Sequence, residues 1–157
     1  MNNLKFTYQF INEPTAISNK HFKDVPTILS IDATLTVKFK DETYFEAEIA
    51  ILEFYKALLK WKQGVTTSQI PSFHYYSIEY ADYEDGAILS MLPFADKARI
   101  TTIWAEVDIY NVFDQSYTVS KLMELEAILK SDIENYFQID LEKFVRHIPF
   151  VKDTTIL

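Results

Sequence analysis

The chain has no cysteine in its 157 residues. That removes disulfides, thiolate nucleophiles and cysteine-ligated metals at once, and it fits a reducing compartment. Glycine is nearly as scarce, at two residues. The P-loop and the dinucleotide fingerprint both need several glycines to bring backbone against phosphate, and neither is present. Three histidines, His21, His74 and His147, are scattered, with no second histidine or carboxylate at His-Glu-x-x-His spacing. No Gly-x-Ser-x-Gly elbow offers a serine nucleophile. No apolar run approaches a membrane span, and Met1-Asn2-Asn3-Leu4-Lys5 has no signal-peptide hydrophobic region. The expectation is one soluble, cytoplasmic domain, 1–157, with a frayed tail at about 152–157. No catalytic residue, metal or cofactor is expected.

Basic charge is also in short supply. Fifteen Lys and Arg stand against 23 Asp and Glu, for a net charge of -8. Residues 1–62 are balanced. Residues 63–120 hold only Lys97 and Arg99 against Glu79, Asp82, Glu84, Asp85, Asp96, Glu106, Asp108 and Asp114, a net of -6. Nucleic acid needs basic side chains for its phosphates, so it is excluded as the expected partner. A basic protein partner suits this asymmetry, because complementary charge speeds association and selects partners.

What the chain has is hydrophobic content of 48% with aromatics at 15%, enough for a real core. Its organising stretch is Leu29 to Gly64. Leu29, Ile31, Ala33, Leu35, Val37 and Phe39 alternate with polar residues, the period of a half-buried strand. Lys40-Asp41-Glu42 reads as a polar turn, and Thr43 to Ala47 as the returning strand. From about Glu48 the period becomes helical. Ile51, Leu52, Tyr55, Leu58 and Leu59 form one stripe, widened by Phe54 and Trp61, with Glu53, Lys56, Lys60 and Gln63 opposite. Gly64 stands where a left-handed C-terminal cap is wanted.

Around this stretch, Leu4 to Phe10 predicts a first strand, and Ser18 to Phe22 a possible helical turn. Phe73 to Tyr80 predicts an aromatic strand whose His74, Tyr76, Ile78 and Tyr80 face the core. Asp82 to Gly86 is a turn with Gly86 at positive φ. Ala87 to Leu92 and Ala98 to Glu106 predict further strands, with Val107 to Phe113 as an extension. Leu122, Leu125, Leu129, Ile133 and Tyr136 predict a long helix from about Thr118. Asp140 caps a short last helix carrying Leu141, Phe144, Val145 and Ile148. The sum is an α+β fold: an antiparallel sheet of about five to six strands, two main helices packed on one face, and a short C-terminal helix.

Two sites suggest themselves. Glu79, Tyr80, Asp82, Tyr83, Glu84 and Asp85 form an acidic, tyrosine-decorated turn of the kind protein interfaces present. Its carboxylates do not match the spacing of a calcium loop. The alternative is a small-ligand or enzyme pocket lined by His74, Tyr75, Tyr76 and Trp104.

The alternating strand, acidic turn and helix ending in Leu58-Leu59-Lys60-Trp61 resemble small uncharacterised α+β domains of low-GC Gram-positive bacteria. In style the whole chain is also similar to immunity proteins of bacterial toxin systems. That resemblance implies a non-enzymatic domain that neutralises a basic toxin by binding it.

Overall fold

A computed structural model describes residues 3–78 and 86–151. Strand β1 (Leu4–Phe10) opens the chain. A one-turn 3-10 helix at Asn19–His21 follows, closed by reciprocal bonds between Ser18 and His21. Helix α1 (Val25–Leu29) then takes up the start of the expected long strand. The reason is local. Asp24 accepts from the Thr27 N–H, and Pro26 lies in the first turn, a helix start that outweighs the alternating pattern there.

Strand β2 (Asp32–Phe39) keeps the predicted alternation, with Ala33, Leu35, Val37 and Phe39 buried. Lys40 and Asp41 turn the chain, at φ 51° and 67°. Positive φ at both positions is what a two-residue hairpin turn requires. Strand β3 (Glu42–Ala50) returns, and it is longer than predicted. Ala47 and Ile49 stay in register opposite Leu35 and Ala33, so the period of two runs past Glu48. β1 pairs with β2 on the other side, giving a first antiparallel sheet in the order β1-β2-β3. Its outer face is polar, with Lys5, Thr7, Gln9, Glu46 and Glu48 exposed.

Helix α2 (Ile51–Gly64) begins directly at the end of β3. Its wide apolar arc is buried as predicted, but so are Glu53 and Lys56, which the sequence places on a solvated stripe. Gly64 is not left-handed; the cap is the extended Val65. A Cβ at Gly64 would meet the Pro71 ring at 3.4 Å, so close passage of the next loop is what glycine permits here.

The strands after α2 do not extend the first sheet. β4 (Phe73–Tyr75), β5 (Leu89–Phe94), β6 (Lys97–Thr101) and β7 (Val112–Asp114) form a second antiparallel sheet in that order. The expected single sheet is therefore two, of three and four strands. The predicted strand at 98–106 stops at Thr101. Beyond it the Glu106 N–H bonds the Tyr44 carbonyl, and this loop meets the edge of β3 where another strand would pair. The predicted facing of 73–78 is inverted. Phe73, Tyr75 and Ser77 are buried, whereas Ile78 is 46% exposed.

Helix α3 (Gln115–Phe137) starts where β7 ends and buries Leu122, Leu125, Leu129, Ile133 and Phe137. It runs against β1 and ties to it by hydrogen bonds from both ends. Tyr117 exchanges bonds with the Leu4 backbone, Tyr8 bonds Asp132, and the Tyr136 hydroxyl reaches the Asn12 carbonyl at 2.8 Å. Helix α4 (Leu141–Val145) follows, with Asp140 at its N-cap position but without a side-chain cap bond. α2 packs on β2, β3, β4 and α3, while α3 packs on β1, β6 and β7. The two helices thereby join both sheets in one hydrophobic cluster.

Candidate functional site

The predicted interface residues Glu79, Tyr80, Asp82, Tyr83, Glu84 and Asp85 lie outside the described residues. What surrounds them is described. The chain enters that segment at Ile78 and leaves it at Gly86, which takes φ 109°, the conformation predicted for it. At the entry, the Glu53 carboxylate accepts from the Ser77 hydroxyl at 2.8 Å and the Ile78 N–H at 2.9 Å. The Tyr75 hydroxyl reaches the same carboxylate at 3.5 Å. Glu53 is only 3% exposed. A buried carboxylate needs such donors, because leaving it unpaired would cost several kcal/mol, to an order of magnitude.

Beside this anchor is a cavity of about 180 Å³ lined by Asp32, Glu48, Ile49, Ala50, Tyr75, Ser77 and Ile88. Asp32 and Glu48 come from neighbouring strands. Asp32 pairs with Ala50 and Thr34 with Glu48, so both acids stand on the same outer face of the first sheet. The fold thus brings Asp32 and Glu48, from the charge-balanced part of the sequence, to the root of the acidic segment. Neither acid stands out in the sequence, because charge counted along the chain does not show which residues strand pairing brings together. The cross-strand register is the signal that would have found them.

A second cavity, of about 330 Å³, opens between the last turns of α2, the edge strand β4 and the chain at Phe150 and Val151. His74 and Tyr76 line it, as predicted. The His74 Nδ1 lies 2.8 Å from the Ser90 hydroxyl, its cross-strand partner. Ser90 is buried, so this contact orients the imidazole and does not offer the hydroxyl to a substrate. The other two predicted lining residues are elsewhere. Tyr75 points into the core against Phe54, ring centroids 5.2 Å apart. Trp104 lies parallel to Phe45 at 6.4 Å. Trp61 takes their place at the groove, its indole N–H held by the Pro71 carbonyl at 2.9 Å.

Between α2, α3 and α4 sits a buried carboxylate that no sequence pattern singled out. Glu126 accepts from the Tyr55 hydroxyl and the Lys62 ammonium, each at 2.7 Å. Burial pushes the Tyr55 phenol above its ordinary range, and the hydrogen bond to Glu126 pushes it further. Tyr8 is raised in the same way, by burial and by Asp132. Both pairs hold α3 in place with the phenols neutral. In the unfolded chain these phenols ionise near pH 10. The folded state therefore keeps protons that the unfolded state loses, and stability falls as pH rises above about 10. Absorbance titration of phenolate should show that these two tyrosines are among the last to ionise. Tyr55→Phe should flatten the alkaline fall in stability measured by urea unfolding.

Among the described residues no cluster of three or more His, Asp or Glu could hold a metal ion, and no helix is long and apolar enough to cross a membrane. The fold and its surfaces define an α+β domain of two antiparallel sheets bridged by two helices. The chain belongs to the family described as "Domain of unknown function (DUF7878)", whose match covers residues 6–135. No curated protein and no solved structure matches it.

Proposed function

We propose that this chain is a non-enzymatic protein-binding domain that takes a basic partner on its acidic, tyrosine-rich surface at 79–85. The observation that carries this reading is the grouping of Asp32 and Glu48 at the root of that segment, where Ile78 is exposed. Two acids from neighbouring strands thus stand where the acidic segment leaves the described fold, near an exposed apolar side chain. Interfaces commonly combine an apolar or aromatic anchor with a charged rim that steers the encounter. Neutralisation of a basic toxin, as an immunity protein does, is the specific role that this surface and the resemblance together support.

The test is recovery of the partner from the native host by tagged wild type and by two variants. Asp82→Lys, Glu84→Lys and Asp85→Lys combined should abolish recovery while the circular dichroism spectrum is unchanged. Glu48→Lys, at an exposed position whose side chain makes no hydrogen bond among the described residues, should slow association about threefold and weaken its salt dependence. Equal recovery of one partner by wild type and the triple variant would move the interface elsewhere. If the gene beside this one encodes no toxin or secreted protein, the immunity role loses its basis.

A further inference from the structure

The groove at His74 differs in charge from the rest of the molecule. Lys60, Trp61, Phe73, His74, Tyr76 and Phe150 are among its lining residues. Among the described residues of its lining none is acidic, in a chain with 23 acidic side chains. Its floor is aromatic: Phe73 is 1% exposed, Trp61 is 5% exposed, and the two rings meet edge to face at 6.3 Å. At its rim Lys60 is exposed and makes no hydrogen bond or ion pair among the described residues. One turn earlier on α2, Lys56 is buried and donates to the Ile148 carbonyl at 2.6 Å.

We propose that this groove binds a small aromatic carboxylate, with the ring against Trp61, Tyr76 and Phe150 and the carboxylate at Lys60. Two features favour a small aromatic ligand, and a third favours an anionic one. The volume of about 330 Å³ lies at the lower end for small-molecule sites, which are apolar with a few convergent polar groups. A flat ring gains most from an aromatic floor, through offset and edge contacts. Among the described lining residues the only charged side chain is a lysine, and a second lysine stands one turn away. Burial first, and then the like charge of Lys60, pull the Lys56 ammonium below the ordinary lysine range. An anion seated at Lys60 relieves that repulsion. Carboxylate binding at the ammonium is a charge-assisted hydrogen bond, the strong kind. This proposal uses none of residues 79–85, so the two proposals stand or fall independently.

Phenylacetate is the probe, with phenethylamine as its cationic counterpart of similar shape. The readout is the pair of indole N–H cross-peaks in a ¹H–¹⁵N spectrum, assigned with Trp104→Phe. The Trp61 peak should shift saturably with phenylacetate, at about millimolar affinity for a ligand of this size. The Trp104 peak should stay in place, and phenethylamine should shift neither. Lys60→Gln, at an exposed position that leaves the fold intact, should weaken phenylacetate roughly tenfold. A Trp61 peak that does not saturate, an equal response to the amine, or unchanged affinity in Lys60→Gln would each overturn the assignment.

Discussion

Trp61→Ala should lower unfolding free energy by about 3–5 kcal/mol, the usual cost of removing a large buried aromatic. Trp61 is 5% exposed, packs edge-on against Phe73, and donates its indole N–H to the Pro71 carbonyl. The substitution therefore removes apolar contact from α2 and β4 together and strands the Pro71 carbonyl. Equilibrium urea denaturation measures it. A loss under about 1 kcal/mol would place Trp61 on a surface rather than in the core. Trp61→Phe should recover most of the packing while still losing the hydrogen bond, leaving a deficit of about 1 kcal/mol.

Glu53→Leu should be comparably damaging, at about 3 kcal/mol, for a different reason. Leucine fills the space with apolar atoms but accepts nothing. The Ser77 hydroxyl and the Ile78 N–H are then left without the carboxylate that now takes them at 2.8 and 2.9 Å. Each buried donor left unpaired costs about 1–3 kcal/mol. Glu53→Gln keeps an acceptor oxygen and should cost roughly half as much. Hydrogen exchange at the Ile78 amide distinguishes the cases: it should be protected in wild type, partly protected in the glutamine variant and fast in the leucine variant. Uniform loss across the chain, with no excess at Ile78, would mean that Glu53 supports the core at large rather than the entry to residues 79–85.

The parts of the fold legible in the sequence are those that a single periodicity can carry. β1, the interior of β2 and the buried stripes of α2 and α3 each follow a period of two or 3.6, because one face of each element meets a continuous core. Sheet membership was not legible. Strand period says that a strand is half-buried but not which neighbour it pairs with, and nothing in Phe73 to Tyr75 marks it for β5 rather than β3. The inverted facing of 73–78 has a related cause. Hydropathy favours His74, Tyr76, Ile78 and Tyr80 over Phe73, Tyr75, Ser77 and Glu79, but the buried polar Ser77 is satisfied by Glu53, which hydropathy does not register. The buried Glu53, Lys56 and Glu126 look like solvated charges until their partners, 22 to 92 residues away, are known. His74 and Tyr76 line a groove, whereas Tyr75 packs on Phe54 and Trp104 on Phe45. An aromatic-rich stretch signals burial without saying on which side of the sheet.

The ties between β1 and α3 bear on the order in which the molecule can assemble. Leu4 bonds Tyr117 across 113 residues, and Tyr8 bonds Asp132 across 124. The β1-β2-β3 meander and α2 are local and can form as soon as residues 1–64 have emerged from a ribosome. The flank of β1 that α3 covers, with Phe6, Tyr8 and Phe10, stays open until the chain has been made past residue 115. Loop closure on this scale slows folding, and apolar strand surface left waiting is prone to aggregate. Synthesis rate and chaperone supply during that interval are thus expected to govern yield more strongly than final stability does. Fragments ending before α3 should be the species that precipitate.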